Sequence, residues 1–300
     1  MEHNTAKHFV LQLGSLVSLY LSLTFLLVLL FGAINIIFPD AADYVWEVES
    51  AQSQIRIGIA MVIVFFPTYL LITRIVNQAR RKEQNGAYLG LTKWLIYLSL
   101  LVGGLVLLID LVVVIMTFLE GEISERFILK AFAVLIVIGV AFYYYLKDAK
   151  GYWLTHEKTS KMFGAGALLA ALVSLTIGFS NIDTPEKVRE VKIDNQMVND
   201  LQDMQWRIDE YYRKNDALPE NLEALFGTFP VPLAPENKPP YRYEATNETE
   251  YKLCATFTHD STESRMSIAR PLVEKNYIWD YQKGEWCFER EVTTEISPVR

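Results

Sequence analysis

Five stretches of this chain are long and apolar enough to cross a lipid bilayer, and no other feature narrows its folding options as far. A bilayer core about 30 Å thick takes roughly 20 apolar residues at a rise of 1.5 Å each. Runs of that order extend from Phe9 to Phe38, Ile57 to Ile75, Trp94 to Phe118, Phe127 to Leu146 and, shorter and weaker, Met162 to Phe179. The first exceeds the core of a cleavable signal peptide and has no small-x-small site before a polar start, so it reads as a retained signal anchor. With 51% hydrophobic residues and a mean hydropathy of +0.17 over 300 residues, the composition excludes a soluble enzyme filling the whole chain. Residues 1–180 hold 13 Lys and Arg against 12 Asp and Glu, whereas residues 181–300 hold 15 against 23. The net charge of −7 therefore belongs to the last third, which excludes a nucleic-acid binder and a disordered tail protein. The expected architecture is an all-α membrane bundle of five transmembrane helices over residues 1–180, followed by a small α+β extracytoplasmic domain over 181–300.

Orientation follows from Lys and Arg, which are retained on the cytoplasmic side of short loops. Arg80, Arg81, Lys82 and Lys93 lie between the second and third spans, and Lys147, Lys150, Lys158 and Lys161 between the fourth and fifth. Asp40, Asp43, Glu47 and Glu49 lie between the first and second, and Glu120, Glu122 and Glu125 with Arg126 between the third and fourth. The two basic loops are expected inside and the two acidic ones outside. The N-terminus is then cytoplasmic, and an odd number of spans carries residues 181–300 to the other side.

Trp46, Trp94, Tyr143 to Tyr145 and Trp153 fall where this topology puts interfaces, the positions of anchoring aromatic belts. In the fifth run, Gly164, Gly166, Ala167 and Ala170 follow no strand and read as small residues for close helix packing, not as a nucleotide loop. Pro67 removes a backbone donor from the second span and is expected to kink it. Asp110 is an ionisable group at membrane depth, costly without a partner. Lys130 on the next span lies roughly 6 Å from it in depth by the helical rise, and Arg126 and Arg56 are near the same level. An interhelical ion pair among Asp110, Lys130 and Arg126 is the leading expectation; an ion path through Asp110 is the other.

After the fifth run, Thr184-Pro185-Glu186 makes a helix start: a capping hydroxyl, a proline in the first turn and an acid at the positive end of the dipole. Val188, Val191, Val198, Leu201, Met204, Ile208 and Tyr211 recur at three- or four-residue steps, with Asp194, Asp200, Asp203 and Asp209 on other faces, so the helix is amphipathic. Asn215 to Pro219 ends it, Asn221 to Phe226 predicts a short helix or turn, and prolines from 230 to 240 break the chain. Strands are predicted at Tyr241 to Ala245, Tyr251 to Phe257, Tyr277 to Tyr281 and Trp286 to Glu291, with a polar loop from Thr258 to Arg270. Such a helix on a small antiparallel sheet buries one face of each.

Only two cysteines occur, Cys254 and Cys287, both in predicted strands on the exported side, and a disulfide between them is expected. Two cysteines and no histidine at ligand spacing argue against a metal site. Catalytic signatures are missing: no GxSxG, HExxH, P-loop or paired CxxC, and His3, His8, His156 and His259 lie on both sides of the membrane. Asp203, Asp209 and Glu210 read as a solvated helix face. No enzyme activity, catalytic residue or cofactor is expected. Tyr211, Tyr212, Tyr241, Tyr243, Tyr277, Trp279 and Trp286 are many aromatics for so small a domain, and any left on its surface would form a contact patch.

Several stretches resemble an uncharacterised bacterial integral-membrane family with four spans, a domain of unknown function. They are FPD at Phe38 to Asp40, FFP at Phe65 to Pro67, WLIYLSLLVGGLVLLIDL from Trp94 to Leu111, FLEGEISERFILK from Phe118 to Lys130 and FYYYLKDAK from Phe142 to Lys150. The resemblance covers roughly residues 9–150 and implies a four-helix module with Asp110, Arg126 and Lys130 on matching positions, to which residues 162–179 add a fifth span. Residues 200–225 and 239–257 resemble the globular part of type IV pilins and type II secretion pseudopilins, which implies a pilin-like shape on a fixed membrane base. The function expected is therefore non-enzymatic: a multi-pass protein of the bacterial cytoplasmic membrane whose outer domain meets a pilus, secretion or cell-wall component, with a second copy of the chain as a further partner. The alternative is a transport or channel accessory subunit working through Asp110 and Lys130.

Overall fold

A computed structural model describes residues 2–39, 45–82, 88–121, 124–226, 230–235, 237–261, 276 and 278–292. Asp40, Asp43, Glu122, Tyr277 and most of the loop to Arg270 lie outside these residues, as does the side chain of Trp46. The chain divides into two compact units, Met1–Ile182 and Asp183–Arg300.

The first unit is helical throughout: α1 (Glu2–Ile37), α2 (Val45–Lys82), α3 (Tyr88–Glu120), α4 (Glu125–Ala149), the single turn α5 (Tyr152–Thr155) and α6 (Glu157–Ser180). The five long helices are long and apolar enough to cross a membrane and suggest a multi-pass membrane protein. Local chemistry sets their ends. Ser124 Oγ accepts from the Phe127 N–H at 3.2 Å to cap α4, with Glu125 in the first turn and Lys147 in the last. Gly151, at φ +69°, supplies the left-handed residue between α4 and α5. Pro67 sits inside α2 without ending it.

α1 is the hub, packing on α2, α3, α4 and α6. Its closest neighbour is α2, which runs antiparallel to it. A Cβ on Gly32 would meet the Ala51 carbonyl at 2.8 Å, and one on Gly58 would meet the Leu29 backbone at 2.9 Å. Backbone approach of this kind lets apolar helices gain van der Waals contact where lipid gives no hydrophobic drive to associate. Ser15 and Thr73 hydroxyls add a hydrogen bond of 2.7 Å across the same pair. The expected close packing at Gly164 and Gly166 is not found, since a Cβ at either meets nothing within 4 Å; in α6 it is Gly178 that packs closely, where a Cβ would meet Ile59 of α2 at 3.1 Å.

Tyr144, Tyr145 and Trp153 also depart from expectation. They are buried in one cluster with Leu19 and Ile96, and not displayed as an interfacial belt; Trp94 and Tyr143 are exposed as a belt requires. The Tyr144 and Trp153 rings stack at 4.9 Å, and the Trp153 Nε1–H donates to the Tyr144 carbonyl at 2.9 Å, so the aromatics fold α5 back against α4.

The second unit lays α7 (Pro185–Asn215) and the turn α8 (Glu223–Phe226) on a sheet of β1 (Arg242–Ala245), β2 (Glu250–Phe257) and β3 (Gly284–Glu291), antiparallel in the order β1-β2-β3. Thr184 Oγ1 accepts from the Lys187 N–H, Pro185 opens the helix, and Asp216 closes it at φ 51°. Met197, Leu201, Met204 and Ile208 form the inner stripe of α7 and meet Tyr251, Leu253, Ala255 and Phe257 of β2, with Phe288 of β3. The Asn247 side chain accepts from the Thr249 and Glu250 N–H groups and makes the β1–β2 turn.

Of the strand predicted at Tyr277 to Tyr281, the described residues 278–281 do not form one. Over Ile278 to Tyr281 the chain is irregular because its aromatics are spent on the core: Tyr281 stacks on Phe257 at 3.8 Å and Trp279 packs on Phe288 at 4.7 Å. Ser261 holds it in place of a ladder, its N–H donating to the Tyr281 carbonyl and its Oγ accepting from the Tyr281 N–H. Tyr241 is likewise core, and of the aromatics expected at the surface Tyr211 and Trp286 are only partly exposed, whereas Trp206 of α7, not singled out from sequence, is exposed.

Candidate functional site

At the end of the bundle where Arg74, Arg80, Arg81 and Lys161 gather, α2, α4 and α6 line an open cavity of about 360 Å³. Its floor is aromatic and polar: Tyr69 and Asn77 from α2, Tyr144 from α4 and Phe163 from α6. Its rim carries Arg74, Arg81 and Lys161 against one carboxylate, Glu157. Gly164 and Ala167 line the α6 wall, and the open space beside Gly164 is part of this cavity.

The rim is held from behind. Arg80 and Asp148 are a buried pair, with one Arg80 Nη1 donating to both carboxylate oxygens at 2.9 and 3.0 Å. Arg80 also donates to Asn77 Oδ1, and Asn77 Nδ2 to the Tyr144 hydroxyl, both at 3.4 Å. Neutralising each other, Arg80 and Asp148 fix α2 to α4 and leave the rim charge to the other cations. Arg81 donates to the Trp153 carbonyl at 3.0 Å and pairs with Glu157 at 3.4 Å, while Lys161 pairs with Glu157 at 2.8 Å. Among the described residues, the buried Nε–H of Arg81 has no hydrogen-bond partner. Three cations against one carboxylate give the rim an excess of positive charge, the chemistry an anion would match. In the sequence Arg81 and Lys161 read as topology signals and Arg74 is not singled out; nothing in their spacing tells that α2 and α6 meet around them.

The residues singled out from sequence are placed as follows. Asp110 is half-buried on α3. The Lys130 ammonium lies over the Phe31 ring of α1, 6.0 Å from its centroid, and Arg126 Nε donates to the Phe38 carbonyl. Both cations thus bind α4 to the far end of α1. Cys254 and Cys287 are directly opposite on β2 and β3 and form a disulfide. Among the described residues no group of three His, Cys, Asp or Glu is placed to hold a metal.

A second buried carboxylate went unrecognised. Asp194, expected on a polar face of α7, is fully buried and accepts from the Thr258 N–H at 2.9 Å, the His259 N–H at 3.1 Å and Lys238 Nζ at 3.3 Å. It ties the helix to the chain leaving β2. His259 Nε2 meets Glu190 Oε2 at 2.7 Å, one helical turn before it. Tyr241 donates to Asp200 at 2.5 Å, and burial with this partner keeps its hydroxyl protonated far above the usual phenol range. On the inner face, Arg290 stacks on Trp279 at 4.3 Å and donates to Gln205 Oε1 and the Ile278 carbonyl; burial pulls its pKa down to about 10. These groups do structural work: each joins α7 or the irregular segment to the sheet.

A family model described as a domain of unknown function, DUF5671, matches residues 8–145. No curated protein and no solved structure matches the chain. The matched stretch takes in α1 to α3 and most of α4 and stops before α5, so the cavity takes its α2 and Tyr144 residues from inside the match and its α6 wall from outside it.

Proposed function

We propose that this chain is a non-enzymatic, multi-pass protein of a bacterial cytoplasmic membrane that presents its C-terminal domain, on the extracytoplasmic side, to a partner in the cell envelope. One observation carries the reading: five long apolar helices are followed by a separate, disulfide-closed α+β unit. A disulfide persists in an oxidising compartment, which favours the outer side for residues 181–300. The odd number of spans and the basic loops at one end favour the same side. The acidic, compact outer unit is then a recognition surface, and the bundle is its base.

The test is crosslinking of the full-length protein in native membranes, followed by detergent extraction and mass spectrometry of attached peptides. Crosslinks from residues 181–300 to pilus, secretion or cell-wall proteins are expected. Crosslinks confined to copies of this chain within residues 9–180 would replace presentation by a self-contained membrane oligomer. Membrane residence is tested separately: the protein must stay in the pellet after alkaline carbonate washing and leave it only in detergent.

A further inference from the structure

The cavity between α2 and α6 combines an aromatic floor, a cationic rim and an unfilled wall. Its rim cations Arg74, Arg81 and Lys161 outnumber the Glu157 carboxylate among the described lining residues, so two positive charges are left over. An excess of charge beside apolar helix faces calls for an anion that also carries an apolar part. Basic pockets between transmembrane helices at the cytoplasmic surface satisfy both needs with a lipid headgroup, because the anionic leaflet supplies the charge and the acyl chains follow the helices.

Two further observations point to a ligand. The Arg81 guanidinium is pinned by the Trp153 carbonyl and Glu157, yet its buried Nε–H is left without a partner among the described residues, a donor whose desolvation an acceptor oxygen would offset. Gly164 has nothing within 4 Å of where a Cβ would stand. A glycine in a helix interior costs roughly 0.5–1 kcal/mol against alanine; Gly90, Gly139 and Gly166 are equally open, but among these Gly164 is the one that lines the cavity, where a larger side chain would take up its volume.

We propose that this cavity binds the phosphate of an anionic lipid, with Arg74, Arg81 and Lys161 around the headgroup and an acyl chain passing the Gly164 side. The inference rests on the membrane reading above and deepens it by giving the bundle a lipid-specific contact.

The experiment uses the full chain purified in neutral detergent, with thermal unfolding and native mass spectrometry as readouts and phosphatidylglycerol, phosphatidylcholine and inorganic phosphate as probes. Phosphatidylglycerol should raise the unfolding temperature and remain bound, whereas phosphatidylcholine should do neither. Arg74→Gln with Lys161→Gln, both at exposed positions, should weaken phosphatidylglycerol binding about 30-fold, since each cation near an anionic surface contributes about 1 kcal/mol. Gly164→Leu should remove binding while leaving the lipid-free protein as stable as wild type, which separates occupancy from folding. Equal stabilisation by both lipids, or unchanged binding in Gly164→Leu, overturns the proposal. Stabilisation by inorganic phosphate equal to that by phosphatidylglycerol would assign the cavity to a soluble phosphate compound and overturn the lipid. A protein released by carbonate without detergent fails the membrane reading itself; one that stays in the pellet but shows no lipid preference fails this inference alone.

Discussion

Leu119 on α3 is 77% exposed and Leu253 on β2 is fully buried, and the same contrast runs through the two units. In the first, Leu101, Leu105 and Leu108 face outward with glycines and hydroxyls turned inward between α1 and α2; in the second, the apolar side chains of α7 and β2 close on each other. An apolar exterior is an error in water and a requirement in lipid. The two units nevertheless share one device, a buried carboxylate held by a cation: Asp148 with Arg80 in the bundle and Asp194 with Lys238 in the α+β unit. The difference lies in what else the carboxylate holds. Asp148 joins two helices side chain to side chain, whereas Asp194 also satisfies two backbone N–H groups of the chain leaving β2.

That distinction predicts the largest effect. Asp194→Ala strands two N–H groups and takes the counter-charge from the Lys238 ammonium, which keeps only the Thr256 carbonyl and the Thr258 hydroxyl, and should cost the C-terminal unit about 3–5 kcal/mol, read by chemical unfolding of the full chain followed through its tryptophans. Arg80→Met should destabilise the bundle by a comparable amount, but Arg80→Met with Asp148→Leu should recover most of it, because no backbone group depends on that pair. No joint replacement of Asp194 and Lys238 should recover the loss; if one does, the two sites are equivalent and the comparison fails.

Core leucines come next. Leu253→Ala should cost about 2–5 kcal/mol, while Leu119→Ala in detergent should stay within about 0.5 kcal/mol; similar losses at both would mean that α3 is covered by protein. Replacing both cysteines with serine should lower the stability of the C-terminal unit by about 2–4 kcal/mol without altering bundle extraction, and reducing agent should reproduce it.

The smallest effect is one of pH. Tyr243 donates to the Pro219 carbonyl at 3.0 Å, and burial pushes its hydroxyl up to about 12, above the ordinary phenol value of 10.0. A phenol with a raised folded pKa contributes stability that is complete below the unfolded value and is lost as pH rises through the folded one. The C-terminal unit should therefore weaken from about pH 10 to about 12, and Tyr243→Phe should show a shallower fall over that window than wild type in thermal unfolding.

Most helices of the bundle were legible because an 18-residue apolar run has one folded solution in lipid, and α7 because its cap, proline and apolar stripe agree. β2 and β3 were legible through alternation, and the cysteine pair through their scarcity. The strand expected at Tyr277 to Tyr281 failed over residues 278–281 because Trp279 and Tyr281 satisfy a strand pattern and a core-filling irregular segment equally well. Trp153 and Tyr144 misled for a related reason: an aromatic near a helix end looks the same whether it faces headgroups or a neighbouring ring.

The sequence by itself determined where the chain is apolar, where it is charged and how its helices begin and end, since hydropathy, caps and charge bias act over a few residues. Only the tertiary structure decided which small residues bring helices together, which carboxylates are buried and that Arg74, Arg81 and Lys161 share a rim. Those features depend on which faces of α1, α2, α4 and α6 meet, and that choice is made by packing between segments far apart in the chain, where no local pattern is written.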